Sequence, residues 1–181
     1  DHFACTPSRG SRDALLYFVL SCLIAFAKGL RIGLYCSDVS GAFDKVSAHR
    51  LLHKLKLAKA HPKFVKIVDS WLRNRSAHVV VGKVSSEELP MSDMIFQGTV
   101  LGPSLWNIFY WDASEAVRRS GYHPIVFADD LNCFKTFAGS SEDRTVVGDL
   151  HQAQESLHAW GAANQVAFDQ KKESVHILSR L

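Results

Sequence analysis

The 181-residue sequence is poor in the features that staple, anchor or unfold a chain. Its four cysteines, Cys5, Cys22, Cys36 and Cys133, are widely scattered, with no pair at zinc-ligand spacing. We read them as reduced thiols of an intracellular protein, since a chain of this size needs no disulfide framework. There is no phosphate-binding P-loop and no discernible Ser-His-Asp or Cys-His arrangement. His49 and His53 stand four apart, but Arg50 follows His49 where a zinc protease has Glu. Internal repeats, low-complexity tracts and interdomain linkers are absent as well. The first residue is Asp1 rather than Met, which leads us to expect an internal piece of a longer protein. The one long apolar run, Ala14 to Ala27, is shorter than the ~20 residues a bilayer span requires. It follows Arg9 and Arg12 and ends in Ala25-Phe26-Ala27, which imitates a signal peptide. Ser11 and Asp13 before it and Lys28-Gly29 after it describe a buried helix, the reading adopted here, so no membrane partner is expected.

What remains is the composition of one ordinary domain. The apolar fraction of 47% supports a core, and the charged fraction of 22% is unremarkable in either direction. A net charge of +3 and a pI near 8.7 are compatible with nucleic acid without demanding it. Patterning predicts a strand over Arg31 to Ser37 and a helix over Ala48 to Leu57. A second helix opens at Pro62, with Phe64, Val68 and Trp71 along one face, and His78 to Lys83 reads as a strand. A helix from Gly102 to about Arg119 is stopped by Gly121. Strands over Ile125 to Ala128 and Leu131 to Phe137 flank Asp129-Asp130 as a hairpin. A helix from Ser141 carries Val146, Leu150, Ala153, Leu157 and Trp160 at helical spacing, and Ser174 to Leu178 closes the chain as a strand. With an insertion at about 48–93 set aside, this is βαββαβ: an α+β fold on the split βαβ plan, an antiparallel sheet with helices on one face.

That plan brings distant acids together. Asp38 lies just past the first strand and Asp129-Asp130 sit at a turn between two others. Hard oxygen ligands in such a cluster suit Mg²⁺, which binds through one or two carboxylates plus substrate phosphates. Two ions about 4 Å apart can activate an attacking hydroxyl and stabilise a leaving pyrophosphate, the chemistry of nucleotidyl transfer. Taken singly, Asp38 as a loop cap and Asp129-Asp130 as a plain hairpin turn are the better readings.

A family resemblance adds to this. Ser37-Asp38-Val39-Ser40-Gly41-Ala42-Phe43-Asp44-Lys45-Val46 resembles motif A of non-LTR retrotransposon reverse transcriptases. Phe96-Gln97-Gly98-Thr99-Val100-Leu101-Gly102-Pro103-Ser104-Leu105-Trp106-Asn107 resembles their motif B, and Phe127-Ala128-Asp129-Asp130 their motif C. Trp160 to Asn164 followed by Phe168 to Glu173 resembles motif D. Pro7 to Leu15 resembles the finger-side segment that precedes motif A. The order and spacing agree along nearly the whole chain. One departure stands before Gln97, where Ile95-Phe96 replaces the family's usual Pro or Arg lead-in.

The resemblance implies a polymerase palm with partial finger helices and no thumb: a single fragment, 1–181, with residues 1–30 finger-side and 31–181 palm. It implies an RNA-directed DNA polymerase using two Mg²⁺ ions, with Mn²⁺ as a substitute, on an RNA template, a DNA primer and dNTPs. Asp38 and Asp129 become the principal metal ligands, helped by the Val39 carbonyl, with Asp130 as the second motif C carboxylate. Gly41 and Ala42 would cradle the triphosphate through backbone amides. Phe43 would exclude a 2′-hydroxyl, although a core phenylalanine is the alternative, and Asp44 would be structural. Gln97 and Gly98 would pack against nucleotide and template, glycine allowing close approach. Lys172 would protonate pyrophosphate, with Lys171 as a rival. Fingers, thumb and an endonuclease are expected elsewhere in a parent polyprotein working in nucleus or cytoplasm, and an isolated piece would lack a complete grip on its substrates. Two alternatives stay open: a catalytically dead nucleic-acid-binding relic, and a group II intron maturase or retron enzyme.

Overall fold

Local signals set the elements out in order along the chain. The computed structural model describes residues 2–91 and 93–180. Helix α1 (Ser11–Ala27) begins where the Gly10 N–H donates to the Asp13 carboxylate, and strand β1 (Leu30–Ser37) follows a left-handed Gly29. Helices α2 (Ala48–Leu57) and α3 (Pro62–Leu72) come next, the second opened by Pro62 and by the His61 ring accepting the Lys63 N–H. Four very short strands follow: β2 (Arg75–Ala77), β3 (Val80–Val81), β4 (Val84–Ser85) and β5 (Leu89–Met91). The remainder is α4 (Gly102–Tyr110), α5 (Ala113–Arg119), β6 (His123–Phe127), β7 (Asp130–Ala138), α6 (Asp143–Asn164) and β8 (Ser174–Leu178).

The chain divides into two units. Described residues up to Ser40 and from Tyr110 onward make the first, and Gly41–Phe109 the second. The first holds a fully antiparallel sheet in the order β6-β7-β1-β8, the βαββαβ arrangement expected from the sequence. Alternation along β1 separates its two faces. Ile32 and Leu34 join Phe134 and Ile125 beneath α1, while Gly33 and Tyr35 face the other way, where Val146 and Leu150 of α6 press on Gly33. Helices α5 and α6 thus share one face, and α1, the extra helix, covers the opposite one. The α6 side is dry, with Tyr35, Leu131, Cys133, Val146, Leu150 and Leu157 fully buried, and Ile32 is fully buried on the α1 side. Burial of this kind stabilises by about 1.5–3 kcal/mol per large side chain.

Three local expectations are corrected. The apolar helix α1 is buried only along Ala14, Cys22 and Ala25, while Leu15 and Leu23 remain 63% and 58% exposed, so it is not buried all round. Among the described residues no helix is long and apolar enough to cross a membrane. The run His78 to Lys83 is not one strand. A left-handed Gly82 turns the chain back after Val81, pairing Val81 with Val84 and Val80 with Ser85, and β2 pairs with β5 as a second ribbon. The helix read from Gly102 to Arg119 breaks after Tyr110. Asp112 lies at that break and accepts the Trp160 indole N–H, tying it to α6.

Gly33 tests the packing of α6 on the sheet. A Cβ there would stand 2.9 Å from both the Phe137 ring and the Val146 side chain. Gly33→Ala should lower stability by about 1–2 kcal/mol net of the strand preference that Ala brings. Urea unfolding would read this as a lower midpoint at unchanged slope.

Candidate active site

Strand β1 delivers the first carboxylate. Its pairing with β7 ends at Ser37 opposite Leu131, where the buried Ser37 hydroxyl donates to the Leu131 carbonyl at 2.8 Å. One residue further on, Asp38 emerges beside Asp130, the first residue of β7. The β6–β7 hairpin closes with Phe127 paired to Asp130, leaving Ala128-Asp129 as its two-residue turn. Ala128 takes φ 55° in that turn. A non-glycine residue there costs about 1–2 kcal/mol, strain of the kind that gathers at working sites. The segment after α6 closes the third side. Ser40 N–H donates to the Ala167 carbonyl at 2.9 Å, Asp169 N–H to the Asp38 carbonyl at 3.0 Å, and Val39 bridges to Phe168. The aromatic ring has room because Gly161 lies beneath it, where a Cβ would come within 2.8 Å.

The acids feel one another. The Asp38 and Asp130 carboxyls are within hydrogen-bonding reach, and the Asp130 pKa is raised by desolvation first, then by the charges of Asp129 and Asp38 and by the Asp38 bond, with Lys172 opposing. The Lys172 ammonium donates to Asp38 Oδ2 at 2.7 Å, and that bond and charge hold its pKa above the ordinary value. Lys171 contributes its backbone N–H to the Asp169 carboxylate. Geometry therefore separates the two rival lysines. Tyr110 was not among the sequence candidates. It is fully buried, packs edge-on against Trp160 at 5.3 Å, and has its hydroxyl pKa raised by burial and by all three carboxylates. Nothing in its spacing distinguishes it from a core aromatic at the end of a helix.

The remaining candidates lie in the second unit. Gly41 (φ 67°) and Ala42 lead into a single 3-10 turn over Phe43–Lys45, closed by Asp44 N–H donating to the Gly41 carbonyl. Phe43 is half-buried and stacks on the Trp106 ring at 5.5 Å, and its carbonyl accepts the Ile95 N–H at 2.8 Å. Motif A and the lead-in to motif B thus touch within this unit. Gln97 and the left-handed Gly98 are exposed in the turn before α4. The unusual Phe96 is anchored edge-on against Trp71 at 5.9 Å, with the Arg75 guanidinium over its face. Inside the same unit, Lys54 of α2 is buried and donates to the Phe109 carbonyl.

Among the described residues no three His, Cys, Asp or Glu side chains form a ready-made ion cage. A Mg²⁺ site needs only one or two carboxylates when substrate phosphates complete the shell. The adjoining Asp38 and Asp130 carboxyls, with Asp129 close enough to shift its neighbour, suit a divalent cation by charge and by donor type.

Known proteins resemble this chain in sequence and in shape. The family model described as "Reverse transcriptase (RNA-dependent DNA polymerase)" matches residues 15–177. A curated protein, the RNA-directed DNA polymerase from mobile element jockey of Drosophila melanogaster, is 37% identical over 75 residues, 41% of this chain and 8% of that protein. Among solved structures, an apo telomerase from Candida tropicalis truncated from its C-terminal domain superposes with a TM-score of 0.68 at 10% identity. The match covers 94% of this chain and 36% of the telomerase chain, a likeness of fold.

The raised pKa of Asp130 has a consequence for stability. Its charged form is disfavoured by folding, so the group contributes most below its unfolded pKa, and that contribution is lost as pH rises through the folded value. At pH 7, in buffer free of divalent cations, Asp130→Asn should raise the melting temperature. The gain should correspond to less than ~1 kcal/mol given solvent screening. It should vanish near pH 3, where the aspartate is neutral, as a thermal melt at each pH would read.

Proposed function

The chain belongs to the reverse transcriptase (RNA-dependent DNA polymerase) family, and from that premise we propose that it is the catalytic core of an RNA-directed DNA polymerase from a non-LTR, LINE-like retrotransposon. The observation that carries the proposal is the meeting of Asp38, Asp129-Asp130 and Lys172 at one end of a single antiparallel sheet. Within this reading the first unit belongs to the palm, with α1 as the finger-side segment, and the second contains the insertion at about 48–93.

The family implies dependence on a divalent metal, and we assign Mg²⁺, with Mn²⁺ as a substitute. Asp38, Asp129, Asp130 and the Val39 carbonyl would hold it, and when bound it supplies a more acidic primer hydroxyl and neutralisation of charge on the leaving pyrophosphate. The chain's own groups do the rest. The Gly41–Ala42 turn offers backbone amides to an incoming triphosphate. Phe43, braced by Trp106, presents a flat wall to the sugar and rejects a 2′-hydroxyl. The exposed Gln97-Gly98 turn packs against nucleotide and template without a side chain to obstruct it at Gly98. Lys172 holds a proton near the acids and gives it to pyrophosphate as it leaves.

The template and primer are polyanions, and the second unit suits one. Residues 41–109 carry ten Lys and Arg against five Asp and Glu, while the whole chain has a net charge of only +3. Arg73 and Arg75, beyond the end of α3, belong to this excess and offer sequence-independent contacts to phosphates. The match to the jockey polymerase, 37% identical over 75 residues, supports a retrotransposon over a maturase or retron origin. Fingers, thumb and endonuclease would come from the rest of the parent protein.

Primer extension on an RNA template by the parent polymerase tests this reading. Asp129→Ala should abolish extension, a fall of at least ~10³-fold given the charge stabilisation that a metal clamp supplies. Undiminished extension by that variant would refute the assignment. RNA binding that needs no Mg²⁺, with no incorporation by the unaltered protein, would instead identify a dead relic. Phe43→Val should admit ribonucleotides, read as a rise in rNTP relative to dNTP incorporation, and unchanged discrimination would return Phe43 to a packing role.

A further inference from the structure

Lys172 meets Asp38 from a segment that has little right to be rigid. Its side chain is 61% exposed, and residues 169–173 form a turn between α6 and β8 rather than a strand or helix. A lysine stem carries about 2 kcal/mol of rotamer entropy, so an ammonium held at one point needs a well-fixed backbone beneath it. The next residue provides the fixing.

The Glu173 side chain is only 7% exposed. Its carboxylate accepts the Tyr35 hydroxyl, His158 Nε2 at 2.6 Å and Gln154 Nε2 at 3.2 Å. Tyr35 is fully buried in β1, three residues before Asp38, and His158 and Gln154 lie one turn apart on α6. The His158 ring also stacks on Phe168 at 5.2 Å, and Phe168 bridges Val39. Within the turn, the Glu173 and Lys172 N–H groups both donate to the Asp169 carbonyl, and Asp169 N–H donates to Asp38. Both shoulders of the Lys172 turn are therefore tied to β1 and to α6. A buried carboxylate with three hydrogen-bond donors is also far more costly to disturb than a solvated one.

We propose that Glu173, through Tyr35 and His158, is a positioning residue that fixes the turn from which Lys172 reaches the acids for proton transfer. The proposal rests on the reading of Lys172 as proton donor. Glu173 touches no reacting atom. It converts the rigidity of the sheet and of α6 into the placement of a neighbouring side chain. Loss of that placement slows the step Lys172 serves and leaves nucleotide binding unaffected.

A double-mutant cycle in the parent polymerase tests this, with single-turnover nucleotide addition on an RNA template as the assay. Lys172→Ala should slow addition by ~10²-fold, the lower end for general acid catalysis. Glu173→Ala should slow it by ~10-fold at unchanged KM for dNTP, and adding it to Lys172→Ala should slow addition no further. Glu173→Gln, which keeps an acceptor for Tyr35, should restore most of the rate. If Glu173→Ala does not fold, Tyr35→Phe takes its place in the cycle with the same expectation. Full speed in Lys172→Ala overturns the proton-donor reading, and the positioning role with it. A slow Lys172→Ala combined with additive losses, with a raised KM, or with no effect of Glu173→Ala overturns the positioning role alone.

Discussion

The pairing of β1 with β7 is the constraint on which the remaining geometry depends. Asp38 and Asp130 are 92 residues apart in sequence, and only the register Ser37 opposite Leu131 sets them side by side. A slip of one residue would turn every side chain of one strand to the other face and carry the acids apart. The register is held from three directions. Buried Ile32 and Phe134 fix the α1 side, Val146 and Leu150 of α6 seat closely over Gly33, and the Ser37 hydroxyl caps the end of the ladder on the Leu131 carbonyl. Unlike the two exposed ribbons of the second unit, this sheet has apolar burial on both faces to specify its alignment.

The same end of the sheet also accumulates unfavourable terms. Asp129 and Asp38 lie close enough to Asp130 to disfavour its charge, and Ala128 occupies backbone space that suits glycine. Neither feature helps the chain to fold, and a sequence selected for stability alone would have neutral residues at the acids and Gly or Asn at the turn. Lys172 offsets part of the repulsion through its bond to Asp38. The rest is borne by the core beneath, where Leu131, Cys133 and Val126 are fully buried immediately behind the turn. Local cost sustained by surrounding packing is what a site prepared for cationic ligands requires.

Much of this was legible in the sequence, for identifiable reasons. Strand β1 and hairpin β6–β7 are continuous apolar runs leading into acids, and α6 has Val146, Leu150, Ala153 and Leu157 at helical spacing, so the sheet followed from pattern, while the convergence of Asp38 with Asp129-Asp130 became specific only with the family resemblance. The ribbons around Gly82 did not follow, because Val79 to Val81 has the composition of a buried strand while being more than half exposed. The break between α4 and α5 was hidden because Asp112 is held by Trp160, 48 residues away. Tyr110 and the Glu173 cluster were missed for the same reason. Each is defined by partners from distant elements, and a tyrosine or glutamate in such a network has no local signature that separates it from a core aromatic or a solvated acid.

The division of charge carries the last step. The chain's excess of +3 is not spread evenly: residues 41–109 hold a basic surplus larger than the whole, so the unit bearing the three carboxylates is net acidic. An acidic sheet end repels phosphates unless cations screen it, whereas a basic surface attracts them over a Debye length of about 8 Å at physiological salt. A protein that needed only to bind nucleic acid would gain nothing from the acidic end, and one that needed only to bind a metal would gain nothing from the basic surplus. Copying a polyanion with cation-assisted chemistry calls for both. Within the acidic unit, Lys172 is the basic group placed on Asp38 itself.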